Sequence, residues 1–127
     1  MGIFDFFRKE RKNGFSDDNI DFSNENVQRL TKLLDKLGDT LIETNFGNYV
    51  DYLSQIRLST EKHDTENFKR LIISRELFGG AGALWEIWIE DKKSRKLFKK
   101  QFCEFMDILL EMGIRDARIN QVRKGLK

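Results

Sequence analysis

The chain has 127 residues, enough for one domain with a useful core; at 35% charged residues it is too polar to span a membrane, and with eleven phenylalanines it is too aromatic to be disordered. Charge interrupts every apolar run well short of the roughly 18 residues that a membrane span needs. The formal net charge of +2 is unevenly spread: residues 1–64 hold nine Lys/Arg against twelve Asp/Glu, a net of −3, and residues 65–127 hold fourteen against nine, a net of +5.

The opening "MGIFDFFRKERKNG" sets Ile3, Phe4, Phe6 and Phe7 beside four basic residues. It reads as a short amphipathic arm docked on the body, with a peripheral membrane foot over residues 3–12 as the alternative. No signal peptide is expected, because the long apolar run and small-residue cleavage site are missing. Myristoylation at Gly2 is ruled out by Phe6, where the motif requires Ser or Thr. "FSDDNIDFSNEN" carries four acidic and no basic side chains and reads as a surface linker, with Ser23 or Asn24 as a helix cap. The chain therefore divides into an arm and linker over 1–22 and a helical domain over 23–127.

Val27, Leu30, Leu34, Leu37 and Leu41 recur at three and four residues, the period of a helix with one buried stripe. Gly38 weakens that helix and marks a close contact with another element. Tyr49, Val50, Leu53 and Ile56, with Tyr52, form the next apolar face, and Ser59 to Asp64 reads as a loop. A third helix runs from about Thr65 through Phe68, Leu71, Ile72, Arg75 and Leu77 or Phe78, antiparallel to its neighbour.

"LFGGAGALWEIW", Leu77 to Trp88, raises the question of a phosphate loop. A Walker loop needs a Lys and a Ser or Thr after the last glycine, and here Ala83, Leu84 and Trp85 follow Gly82. The dinucleotide pattern needs a small residue where Trp85 stands. The segment is instead a packing corner: Gly79, Gly80 and Gly82 permit a close backbone approach or a positive-φ turn, and Trp85 and Trp88 fill the space around it. "ALWEIWI" reads as helix, with a short buried strand as the alternative, and Glu86 as a solvent-facing or ion-paired residue.

The strongest helix follows in "EDKKSRKLFKKQFCEFMDILLEMG". Phe98, Phe102, Phe105, Leu109 and Met112 share a face, Leu97, Met106 and Leu110 widen it, Ser94 caps its start and Gly113 stands just past its end. A final helix runs through Ile114, Ala117 or Arg118, Ile119, Val122 and Leu126. The fold class is all-α: a single-domain bundle of about five helices, with a glycine-rich corner before the long C-terminal helix.

Catalytic signatures are sparse. His63 is the sole histidine, on a polar loop, and Cys103 is the sole cysteine, mid-helix, so neither a metal cluster nor a disulfide is expected. One cysteine fits a reducing cytoplasm. No cofactor and no catalytic residue are assigned, and the chain reads as a binding protein. Two charged surfaces are candidates: an acidic one of Asp17, Asp18, Asp21, Asp35, Asp39 and Glu43, and a basic one of Lys92, Lys93, Arg95, Lys96, Lys99 and Lys100. The basic run is either a solvated face or a grip for nucleic-acid phosphates.

Together, "MGIFDFF" and "LFGGAGALWEIWI" before a charged helix resemble small bacterial domains of unknown function found beside toxin and immunity genes. In those domains a helix ends in an "FGGMGS"-like turn, followed by apolar residues and a long helix. The matching positions are Phe78, Gly79, Gly80, Gly82 and Leu84, with Ala81 in place of methionine and Ala83 in place of serine. The likeness covers roughly residues 65–112. It implies an immunity-type protein that masks a cognate toxin without catalysis. The acidic surface would contact a basic toxin, and the basic surface an acidic one. A helical adaptor or nucleic-acid-associated module using Lys92 to Lys100 is the second expectation, and an enzyme with an unrecognised site the third.

Overall fold

Ser23 opens the first helix: its side chain accepts from the Asn26 N–H at 3.3 Å, satisfying a donor that has no partner inside the helix. A computed structural model describes residues 20–79, 82–114 and 116–126, and it is all-helical, with no strand among those residues. In chain order the helices are α1 (Asn24–Glu43), α2 (Val50–Glu61), α3 (Thr65–Ile72), the single turn α4 (Arg75–Phe78), α5 (Lys92–Glu111) and α6 (Ala117–Leu126). Short 3₁₀ turns lie at Gly47–Tyr49 and Leu84–Glu86. The arm over residues 1–19, with the proposed membrane foot over 3–12, lies outside the described residues.

Proline-free, the chain stops three helices the same way. Asn45 (φ 70°), His63 (φ 55°) and Gly113 (φ 103°) each take the left-handed conformation one residue past a helix cap. The next residue's N–H then reaches back: Phe46 to Leu41 O at 2.7 Å, Asp64 to Ser59 O at 2.9 Å, Ile114 to Leu109 O at 3.0 Å. Gly113 thus stands where the sequence puts it. The other two stops fall on Asn and His, which tolerate the left-handed region at some cost.

α1 is the centre of the bundle and packs on both α2 and α5. It runs antiparallel to α5, since Thr40 meets Gln101 near one end and Arg29 meets Glu111 near the other. α6 folds back along α5, where Arg123 pairs with Asp107. Leu30, Leu34, Leu37 and Leu41 are buried as their spacing predicts, against Phe98, Phe102, Phe105, Leu109 and Met112. Phe78 joins this core with its ring 5.7 Å from that of Phe102. Before α1, Phe22 sits edge-on to Phe68 at 5.3 Å, and the Asp21 N–H donates to Met112 O, so residues 20–22 lie on the body.

Several local readings are corrected. The loop expected at Ser59–Asp64 starts later, because Ser59 and Thr60 are buried in the last turn of α2 and their hydroxyls bond back to Ile56 O. The third helix is broken at Ile73–Ser74 rather than continuous. There the Leu71 carbonyl accepts from Tyr52 and the Ile73 carbonyl from Arg118, so two acceptors the helix would have used are taken by other elements. α5 is capped by Asp91 rather than Ser94: the Ser94 N–H donates to Asp91 Oδ2 at 2.8 Å. Leu97, expected to widen the core face, is 46% exposed, lying about 100° around the helix from Phe98. A Cβ on Gly38 would meet nothing within 4 Å, so no close contact explains that glycine.

Candidate functional site

The glycine corner divides two jobs between two residues. A Cβ on Gly79 would come within 2.5 Å of the Arg75 carbonyl, so only glycine fits that approach. Gly82 supplies the positive φ of 89° that turns the chain. Side chains then pin the turn from both sides: Trp85 Nε1 donates to Gly79 O at 2.9 Å, and the Tyr49 hydroxyl to Gly82 O at 2.8 Å. Gly80 lies outside the described residues.

Beyond the corner, "ALWEIWI" is neither the expected helix nor a strand. One 3₁₀ turn, Leu84–Glu86, leads into extended backbone with Ile87 at ψ 147°. Leu84 and Ile89 are buried at the two ends of the segment. Trp85 is half-buried against the core, as a space-filling residue should be. Trp88 is not: it is 63% exposed. Glu86 is exposed to solvent.

Trp88 is nevertheless held. The Arg95 guanidinium lies over its ring, 4.2 Å from the centroid. Arg95 is itself fixed, because its Nη1 donates to Ile89 O at 2.8 Å and to Glu90 O at 3.2 Å. Arg95 therefore belongs to the frame of the 84–91 segment. Beside Trp88 opens a groove of about 750 Å³ between the end of α1 and the start of α5. Glu43 and Phe46 line one side, and Trp88, Ile89, Glu90 and Asp91 the other. The Ser94 N–H and hydroxyl hold the Asp91 carboxylate below its ordinary range, so it is charged across the neutral and mildly acidic range.

The acidic set from the sequence is only partly gathered here. Asp35, Asp39 and Glu43 follow one another at four-residue intervals on α1, with exposed Ile42 among them. Asp35 is already engaged by Arg57 Nη1 at 2.6 Å, across a groove of about 350 Å³ between α1 and α2. Asp21 lies before the opposite end of α1, roughly 30 Å from Glu43, where it accepts from the Ser23 N–H. Asp17 and Asp18 lie outside the described residues. Glu90 and Asp91, which chain position alone does not connect to Glu43, complete the acidic rim. The one sequence signal for them is an Asp immediately before the helical run at Lys92, a capping pattern.

Apart from Arg95, the basic set stays together. Lys92, Lys93, Lys96, Lys99 and Lys100 are all exposed on the first half of α5, while α6 packs along the second half. Two of these lysines stand in the first helical turn, where the helix dipole disfavours cations and the one adjacent carboxylate on the helix is the Asp91 cap. His63 is exposed at a helix stop and stacks on Phe22 at 5.3 Å. Cys103 is half-buried on α5. Among the described residues no cluster of three His, Cys, Asp or Glu side chains is placed to hold a metal ion, and no helix is long and apolar enough to cross a membrane.

Comparison of the chain with protein-family models, with curated proteins and with solved structures finds no match.

Proposed function

We propose that this chain is a non-catalytic binding protein of the immunity type, which neutralises a cognate bacterial toxin by covering part of its surface. The observation that carries the reading is Trp88, an indole held in place by Arg95 yet 63% exposed at an open groove. Leaving a tryptophan in water forfeits a large burial energy, and pre-positioned aromatics are frequent anchors of protein interfaces. The carboxylates of Glu43, Glu90 and Asp91 supply a charged rim for a basic partner, with Asp39 further along α1. The likeness of the Phe78–Leu84 turn to domains beside toxin and immunity genes supplies the class of partner. This reading puts the protein in the cytoplasm, where Cys103 stays reduced.

The test is affinity capture of the tagged chain from its native cells at low and moderate salt, read by mass spectrometry, followed by rescue from the captured protein's toxicity. A stoichiometric toxin that the chain silences supports the reading. Recovery of nucleic acid alone overturns it, as does failure to capture an expressed neighbouring toxin.

A second reading rests on a different observation. The five exposed lysines of α5 make no ion pair or hydrogen bond among the described residues, which suits a nucleic-acid-associated module. It predicts a salt-sensitive complex with nucleic acid that is lost when Lys96, Lys99 and Lys100 are changed to Gln.

A further inference from the structure

We infer that the groove at the Trp88 end of the bundle seats a lysine or arginine side chain of the protein partner. Its aliphatic stem lies on the exposed indole of Trp88, and its cationic head sits among Glu43, Glu90 and Asp91. This assignment rests on the protein-binding reading above and names the chemistry of the contact.

Charge complementarity selects the occupant. The residues lining the groove include three carboxylates and no Lys or Arg, although five lysines follow on the adjoining helix. Among the described residues Glu43 and Glu90 have no hydrogen-bond or ion-pair partner for their side chains. Asp91 accepts from the Ser94 N–H and hydroxyl and forms no ion pair among the described residues, so it keeps its negative charge at the rim. The one nearby guanidinium, Arg95, is committed to two backbone carbonyls and to the indole, so it orders Trp88 and acts on Asp91 only through space, without an ion pair.

The shape of the lining favours a long cationic side chain over a small cation. Phe46, Trp88 and Ile89 provide apolar surface next to the carboxylates. A lysine or arginine can cover apolar surface with its methylenes while its charged end stays at a polar rim. A metal ion or a small anion would leave that apolar surface uncovered. Pre-organisation adds to this: Trp88 is already fixed by Arg95, so little side-chain freedom is lost when the partner docks.

The groove is tested on the full chain by titrating hexa-arginine into isotopically labelled protein and following the two tryptophan indole N–H resonances by NMR, with Trp88 assigned from Trp88→Phe. Selective movement of the Trp88 indole and of the Glu43 and Glu90 amides is expected, with no response to hexaglutamate. The double variant Glu43→Gln/Glu90→Gln should weaken binding about tenfold or more while keeping the wild-type spectrum elsewhere. Equal binding by that variant, or movement only at Lys96–Lys100 with an acidic peptide, would overturn the assignment. Its failure is distinct from failure of the proposed function. A toxin captured equally by wild type and the double variant sinks the groove and keeps the immunity reading; a groove that takes hexa-arginine in a chain that neutralises no toxin does the reverse.

Discussion

The hydroxyl of Thr40 and the side-chain carbonyl of Gln101 meet in the otherwise leucine-rich contact between α1 and α5, at 2.8 Å and both buried. The Thr40 hydroxyl, also 3.1 Å from Lys36 O, makes its shorter contact to Gln101, and no buried side-chain N or O among the described residues lacks a partner. Thr40→Val should therefore cost about 1–3 kcal/mol, because it leaves the Gln101 carbonyl buried without a donor. The double variant Thr40→Val/Gln101→Leu should recover most of that loss, a non-additivity that chemical denaturation of the three variants would read directly. Gly38 gives the opposite sign. It lies inside α1 with open space where a Cβ would go, so Gly38→Ala should raise stability by about 0.5–1 kcal/mol, visible as a higher Tm. At Trp88, which is mostly exposed, Trp88→Ala should move the unfolding free energy by only about 0.5 kcal/mol while abolishing partner capture.

At the scale of elements, the helices are delimited by their caps. Ser23, Asp64, Ser74 and Asp91 each accept a backbone N–H at a helix start, and three left-handed residues close α1, α2 and α5. Gly113→Ala forces a Cβ into the left-handed region and should cost about 1–2 kcal/mol, shown by a lower denaturation midpoint with an unchanged slope. α5 is the one long helix whose first turn works against its own dipole, with Lys92 and Lys93 beside the Asp91 cap. Lys92→Gln should accordingly leave stability unchanged or raise it slightly, read as a Tm equal to or above that of the wild type. The contrast between Lys96→Gln/Lys99→Gln/Lys100→Gln and Glu43→Gln/Glu90→Gln in partner capture decides which of the two charged surfaces is used.

Across the whole molecule, ion pairs join the distant ends of the chain. Arg29 on α1 grips Glu111 at the end of α5, and its hydrogen bond holds the Glu111 carboxylate below its ordinary range. A carboxylate with a depressed pKa in the folded state stabilises that state above its unfolded value. The contribution is lost as pH falls through the folded value, so the loss begins below about pH 4.5. The Tm should accordingly fall as pH drops below about 4.5, and Glu111→Gln should flatten that acid limb by lowering the Tm slightly near pH 7 while leaving it unchanged at the acid end. Both groups are close to the surface, so the effect is also reduced by salt. One core shared by α1, α2, α3 and α5 further predicts a single cooperative transition, with far- and near-ultraviolet circular dichroism coinciding on denaturation.

The all-α class, the buried leucine stripe of α1, the phenylalanine face of α5 and the stop at Gly113 are all legible along the chain. Each is a local matter of helical period or backbone conformation, written in residues within a few positions of one another. The sequence also excludes a nucleotide loop at Gly79–Gly82, because the missing Lys and Ser/Thr would have to be close in the chain. The break in α3 depends on packing, since Tyr52 and Arg118 lie 19 and 45 residues from the carbonyls they take. Packing also separates Trp85, half-buried against the core, from Trp88, which stands in solvent under Arg95. Two tryptophans three residues apart look alike to a periodicity argument, and the anchors that separate them come from other elements. The groove has the same origin. Glu43 and Glu90 are far apart in sequence and line one surface because α1 and α5 run antiparallel, a relation set by packing of their apolar faces rather than by the charged residues themselves.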